Sequence, residues 1–294
     1  MTEGALPPLV LDLDASVGAL PGRITLPLGS WQEAVRFGCS LATMRRFRAV
    51  LEAQLPARYG TVFTGSGDFH HLSWPLIARL RPTAPIQVVV LDNHPDNMRY
   101  PFGVHCGSWV RRVARLPFVA HMHVLGITSG DIGARHAWEN YLAPLVRGKL
   151  TYWSMGVDTA WARRLGIARA FRTFDTPDDL VAAFADEQRT QPLRSYLSID
   201  KDVFAADVAQ TNWDQGRFQL RHALGVIDSL RGELVGSDIN GEVSYYRYRA
   251  WWKRKLSALD EQPAIDPARL AGWHAQQHAL NLALLAAIDR HAAS

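Results

Sequence analysis

A three-layer α/β/α fold with a mostly parallel sheet is predicted by two features of the chain. Short apolar runs rich in β-branched residues alternate with longer stretches at helical spacing, the pattern of a sheet covered by helices on both faces. With 294 residues, 48% hydrophobic and 20% charged, the chain can also bury a large core within the size range of one α/β domain.

The expected strands are Leu9–Leu13, Thr61–Thr64, Ile86–Asp92, Met122–Ile127, Thr151–Met155, Tyr196–Asp200 and Leu234–Ile239. Helices are expected around Trp31–Gln54, Leu72–Leu80, Ser108–Leu116, Ala134–Arg147, Asp178–Gln188, Arg217–Arg231 and Ala268–His291. The Pro-containing stretches Arg81–Pro85 and Glu261–Pro267 have the size of connectors, and no repeat divides the chain, so residues 1–294 read as a single domain.

Composition excludes several classes. A net charge of +4, with 28 acidic residues among 32 basic ones, does not imply nucleic acid. Met1 to Val10 has no basic segment followed by an apolar run, and no stretch approaches the roughly 18 apolar residues needed to span a bilayer. Two cysteines, Cys39 and Cys106, are too few for a disulfide framework or a CxxC zinc site, and they fit a reducing cytoplasm.

In open α/β sheets ligands sit beyond the carboxyl ends of the strands, so residues that close a strand are the first candidates for chemistry. The run Ile86-Gln-Val-Val-Val-Leu ends in Asp92-Asn-His94-Pro-Asp96. Alternate positions of an extended segment face the same side, and carboxylates with imidazole suit Mn²⁺ or a similar divalent ion. Tyr196-Leu-Ser-Ile ends in the same way, in Asp200-Lys-Asp202. Four clustered carboxylates repel one another unless cations offset them, which implies two divalent ions. Thr61–Thr64 runs into Gly65-Ser-Gly-Asp68-Phe-His70-His71, where a histidine would complete the set, either His70 or His71.

In this order these segments resemble the GGDH, DxHxD and SxDxD hallmarks of the arginase/agmatinase, or ureohydrolase, superfamily, whose fold is arginase/deacetylase-like. The resemblance implies roles residue by residue. Asp92 and Asp200 match the carboxylates that bridge two Mn²⁺ ions, Asp96 and a histidine of the 70–71 pair match ligands of one ion, and His94 and Asp202 match those of the other. His105, in Gly103-Val-His105-Cys-Gly, resembles the histidine that moves a proton to the leaving amine, although as a lone histidine it could equally cap the helix at Trp109. Val235-Gly-Ser-Asp238-Ile-Asn-Gly241-Glu242 resembles the last strand, DxxE, whose acid holds a cationic substrate. Here Gly241 stands where the family has Glu, so either Glu242 is turned back by a bulge or Asp238 takes the role. The segment Val203 to Gly216 replaces the usual DPxxxPxTG loop, which points away from free arginine and toward a divergent branch that includes peptide arginases.

Other features fit blander readings. Tyr245–Lys255 interleaves aromatic residues with cations, as a partner-docking wall or as a helix with an aromatic core side and a basic solvated side. His274 with His278, and His121 with His123, have spacings open to metal but read as helix-face and packing histidines. Cys106 beside His105 suggests a thiol nucleophile, with no Asn or Asp relay in view.

The expected activity is hydrolysis of a guanidino or amidino C–N bond, releasing urea from a simple guanidine or converting arginine to ornithine within a peptide. The substrate would be a small guanidino compound or an arginine-containing peptide, with neither nucleic acid nor membrane as partner; a homo-oligomer is compatible. Two alternatives remain, one within enzymes and one from another class. One is a zinc deacetylase of the same fold, which retention of both Asp96 and Asp202 disfavours. The other is a non-catalytic metal-bound module.

Overall fold

The computed structural model describes residues 5–259 and 265–293. Eleven strands are present among them: β1 (Leu9–Asp12), β2 (Ile24–Pro27), β3 (Gly38–Cys39), β4 (Val62–Phe63), β5 (Ile86–Leu91), β6 (Val104–His105), β7 (Val119–Ile127), β8 (Leu150–Met155), β9 (Phe171–Phe174), β10 (Arg194–Asp200) and β11 (Leu234–Asn240). The α-helices are α1 (Gln32–Val35), α2 (Leu41–Gln54), α3 (Ser73–Ala78), α4 (Val110–Ala114), α5 (Ala143–Val146), α6 (Trp161–Arg164), α7 (Pro177–Thr190), α8 (Leu220–Ser229), α9 (Trp251–Leu259) and α10 (Leu270–Ala293).

Nine strands form one parallel sheet in the order β2-β1-β4-β11-β10-β5-β7-β8-β9. The sequence of β5, Ile86-Gln-Val-Val-Val-Leu, is buried throughout because helices cover both of its faces. Val88 and Val90 pack with α2, α3 and α4, whereas Val89 and Leu91 pack with α7, α8 and α10. Gln87 is the polar exception within the strand. Its side-chain nitrogen donates to Gln188 at 2.6 Å and Ser195 at 2.9 Å, which satisfies it inside the core.

After β4 the chain crosses to β5, and β10 and β11 later fill the gap between them. The register brings the strand ends level: Leu91 pairs with Ile199, Asp200 with Asn240, and Ile239 with Phe63. Asp92 and Asp200 therefore leave neighbouring strands side by side, at a topological switch point of the sheet.

Two helix expectations need correction. The stretch Trp31–Gln54 is broken between α1 and α2 by β3, which pairs antiparallel with β6 (Gly38 with His105, Cys39 with Val104). Phe37 takes a left-handed φ of 65° at that break, and Ser40 caps α2 by accepting from the Thr43 amide at 3.1 Å. Ala134–Arg147 holds only a short 3-10 turn and α5, because Pro144 enters at the start of α5 and the preceding loop is spent on the site. The edge strands β2 and β9 were not expected; each is partly exposed and carries little apolar signal.

Candidate metal centre

Three strand ends converge on one cluster. After β5, Asp92 is fully buried and Asp96 takes a left-handed φ of 46°, a strained turn that brings its carboxylate back beside Asp92. After β4, Gly67–Leu72 forms a 3-10 turn that is buried throughout. His70 Nδ1 lies 3.1 Å from Asp92 Oδ2, 2.9 Å from Asp96 Oδ2 and 3.3 Å from Asp200 Oδ2. His71, the alternative, is buried away from these carboxylates, with its field set by His105 and Lys253.

A second group forms around His94. Its Nδ1 lies 2.9 Å from Asp202 Oδ2 and 3.5 Å from Asp92 Oδ1, and Asn93 N donates to Asp202 Oδ1 at 3.0 Å. Two sets of ligand-competent atoms each gather within 4.8 Å: His70, Asp92 and Asp200, and Asp92, His94 and Asp202. Asp92 belongs to both. Asp96 belongs to neither set, although its Oδ2 lies 2.9 Å from His70 Nδ1; that oxygen also accepts from Trp109 Nε1 at 2.5 Å.

The electrostatics match a cation site. Burial, reinforced by the charge of Asp92, pushes the Asp96 and Asp202 carboxyls up to about 7, and burial beside Asp202 raises Asp200 well above the carboxylate range. Burial acts to raise Asp92 as well, but hydrogen bonds from His70 and His94 outweigh it and hold that group low. For both imidazoles burial favours the neutral ring, and the surrounding carboxylates reverse the effect, Asp96 foremost for His70 and Asp202 for His94. Four mutually repelling carboxylates and two imidazoles, with Asp92 shared by both groups, fit a pair of hard divalent ions.

No protein-family model matches the chain. An uncharacterized protein of Thermotoga maritima is 28% identical over 213 residues, covering 71% of this chain and 70% of its own length. Proclavaminate amidino hydrolase from Streptomyces clavuligerus superposes with a TM-score of 0.53 at 17% identity, over 98% of this chain and 93% of that one. Agmatine ureohydrolase of Thermoplasma volcanium gives 0.51 at 14% identity, over 94% and 75%, and a hypothetical agmatinase from Burkholderia thailandensis gives 0.51 at 15%, over 99% and 88%. The chain has the ureohydrolase fold.

Within this ureohydrolase fold the cluster floors a cavity of about 400 Å³ whose lining includes His70, His94, Asp96, Asp200 and Asp202. His105 and Cys106 line its side, and Asp131, His136, Glu139 and Asp214 complete the ionisable lining. His105 is held by the β3–β6 pair, stacks 6.0 Å from Phe37 and meets Tyr100 edge-on at 4.5 Å. Its Nδ1 accepts from Gly107 N at 3.1 Å, which leaves the proton of the neutral ring on Nε2. Burial pushes its pKa down to about 4. His105 caps the turn before α4 and also lines the cavity.

Asp238 is fully buried behind the cluster. Its Oδ1 accepts from Ser73 and Ser198 at 2.8 Å each, its Oδ2 accepts from Tyr196 at 2.7 Å, and Ser198 Oγ stands 3.0 Å from His70 Nε2. It thus supports His70 through Ser198 without lining the cavity.

Glu242, expected to hold the substrate cation, is not among the residues that line the cavity. The register shift in the β10–β11 pairing lies at Ser195–Tyr196 and not near Gly241, so no bulge turns the carboxylate back. It pairs instead with the buried Lys201 ammonium at 2.6 Å, beside α10. Gly241 takes a φ of 87°, and a Cβ there would stand 2.5 Å from Asp200 Oδ1.

Tyr245–Lys255 packs against α1. Glu33 of α1 accepts from the Arg249 and Ala250 amides at 3.2 and 3.0 Å, while Lys253 donates to the Glu33 and Arg36 carbonyls at 2.6 and 2.7 Å. Each helix end is thereby capped by the other's charge, and the segment packs as structure, with Tyr245 and Trp251 left exposed. His274 bonds the Val243 carbonyl at 2.8 Å, and His123 packs on Trp153 and Phe184, so neither histidine pair assembles a metal group. Sequence reading missed Asp214, whose carboxylate lies 2.7 Å from His94 Nε2. Nothing in its spacing from DxHxD could have revealed it.

Proposed function

We propose that the chain is a binuclear metal-dependent hydrolase acting on a guanidino or amidino C–N bond, with residues 1–294 as one catalytic unit. The observation that carries the reading is the pair of ligand groups sharing Asp92 at the floor of an acidic cavity. His70, Asp92, Asp96 and Asp200 would hold one ion, and Asp92, His94, Asp200 and Asp202 the other. Two bound divalent ions lower the pKa of water to near neutrality and polarise the group it attacks. The chain's own groups do the rest. Asp92 and Asp200 fix the separation of the two halves of the site, and the His105 ring, neutral at rest, takes up the proton that the attacking water loses and, as the imidazolium, passes it to the departing amine.

A guanidinium is cationic, and the ionisable lining among the described residues is made of carboxylates, imidazoles and the Cys106 thiol, with no lysine or arginine. With Glu242 committed to Lys201, the reading assigns the attraction of that cation to Asp131, Glu139 and Asp214 in this lining. A peptide-borne arginine is supported by Phe102 and Trp138, exposed at 76% and 67%. Phe102 packs 5.8 Å from Tyr100, which meets His105, and Trp138 directly precedes the cavity-lining Glu139.

The test is urea release by Mn²⁺-loaded protein from free arginine, agmatine, guanidinobutyrate and arginine-containing peptides, with elemental analysis of bound metal. About two ions per chain and urea from one of these substrates are expected. A stoichiometry of one that Asp202→Ala leaves unchanged would favour the deacetylase-like alternative.

A further inference from the structure

On the far side of the Asp200–Asp202 turn lies a buried polar cluster that the chemistry above does not use. The Lys201 ammonium, fully buried, lies 2.6 Å from Glu242 Oε1, 2.7 Å from Gln277 Oε1 and 3.0 Å from Asn281 Oδ1, so its three donors are all engaged. Asn281 Nδ2 donates to the same Glu242 oxygen at 2.6 Å, and Gln277 Nε2 donates to the Gly241 carbonyl at 3.0 Å. Gln277 and Asn281 stand one helical turn apart on the 24-residue α10. A cation from the β10 turn, an anion from the end of β11 and two amides from α10 thus close on one another.

Burying a lysine and a glutamate costs solvation that their mutual attraction does not reliably return, so stability alone is a weak reason for such a pair. Its location supplies a stronger one. Lys201 is the residue between Asp200 and Asp202, and the Asp202 amide donates to Asp200 Oδ1 at 3.1 Å. The Gly241 backbone, which leads directly into Glu242, presses against Asp200 and the Lys201 amide so closely that a Cβ would stand 2.5 and 2.6 Å from them. Movement of the cluster therefore moves the two carboxylates.

We propose that Lys201 and Glu242 are positioning residues whose ion pair, clamped by Gln277 and Asn281, holds the Asp200–Asp202 turn at the spacing divalent ions require and so makes α10 part of the metal site. Glu242 also neutralises Lys201; without it the ammonium would be left beside Asp200, competing with the ions for that carboxylate. The inference rests on the metal-dependent reading.

The experiment is Co²⁺ titration of the metal-stripped full chain, followed by visible absorption, beside thermal unfolding of the same apo samples. Lys201→Met and Glu242→Gln should bind Co²⁺ about 10- to 100-fold more weakly than the parent, the usual scale for losing a partner behind a ligand. Leu284→Ala, which opens a cavity elsewhere on α10, should lower Tm yet leave Co²⁺ affinity within about twofold. Should either charge variant fail to fold, Asn281→Leu, which removes one contact from each ion of the pair, should still weaken binding about threefold or more. Affinities in the cluster variants that fall no further than in Leu284→Ala would overturn the anchor alone. A parent chain that takes up no Co²⁺ would overturn the anchor together with the metal-dependent reading.

Discussion

Asp214 Oδ1 lies 2.7 Å from Nε2 of His94, on the opposite edge of the ring from Asp202, whose Oδ2 is 2.9 Å from Nδ1. The imidazole is thereby held between two carboxylates. Were Nδ1 to hold an ion, Nε2 would carry the proton and donate a hydrogen bond to Asp214, which would fix the ring orientation and make Nδ1 a better donor. Asn93 secures Asp214 in turn, its Nδ2 donating at 3.1 Å to the Asp214 side chain and also to its carbonyl.

Asp214→Asn should accordingly weaken metal binding about tenfold at the ion held by His94, with little change in fold. Titration resolving two binding steps checks this, and equal loss in both steps would remove Asp214 from that role.

A comparable support stands behind the other histidine, where Ser198 links His70 Nε2 to Asp238. Ser198→Ala should lower affinity for the ion held by His70 about tenfold. Tyr196→Phe, which takes a different hydrogen bond from Asp238, should cost about 1 kcal/mol of stability and leave metal binding unchanged. Denaturant unfolding and metal titration on both variants separate the two effects.

What was legible in the sequence follows a physical division. Asp92 and Asp200 could be read because each stands at the end of a strand, which fixes its direction. His94, Asp96 and Asp202 lie in the turns beyond, Asp96 at a φ of 46° and Asp202 in a 3-10 turn, so the motif resemblance and not the strand period pointed to them. His70 could not be told from His71, since a 3-10 turn breaks that period and only the packed turn decides which ring faces the acids. Glu242 was misplaced because its direction depends on the positive φ of Gly241 and on Lys201, which meets it only in the folded chain. The edge strands β2 and β9 and the pair β3–β6 were invisible for a related reason: strands of two to four residues, half-covered in β2 and β9, are too short to carry a period that could be detected.

His123 provides a pH test remote from the site. Burial, with smaller contributions from His121 and Arg172, drives its pKa well below the ordinary value, and its Nδ1 accepts from Trp153 Nε1 at 3.2 Å, which requires the neutral ring. The unfolded chain takes up a proton near pH 6.5 while the folded chain does not, so the unfolded state binds more protons below that pH and stability falls. This contribution should decline by about 1.4 kcal/mol per pH unit below roughly pH 6.5. In urea unfolding of the metal-free protein, His123→Leu should show a shallower loss than the parent between pH 6.5 and about 5. Parallel curves would show that His123 does not titrate on unfolding.

His105 offers the last and most direct test of the chemistry. The ring lies on the cavity wall, fixed by the Gly107 amide at Nδ1 and by Phe37 and Tyr100, and no metal-ligating carboxylate is within ion-pair distance of it among the described residues. A neutral imidazole on this wall can take up the proton that the attacking water loses and, as the imidazolium, pass it to a departing amine, whereas an asparagine fills similar space but cannot make that transfer at useful pH. His105→Asn should therefore reduce kcat by on the order of 10²-fold while metal content and KM stay near those of the parent. Cys106 lines the same wall with its Sγ 4.0 Å from His105 Nδ1, so Cys106→Ser separates a thiol mechanism from the proposed one. It should keep most of the activity, because the attacking oxygen comes from water and the serine preserves the packing. Loss of metal in His105→Asn would make His105 a ligand, and a Cys106→Ser variant as inactive as His105→Asn would move the nucleophile to the thiol.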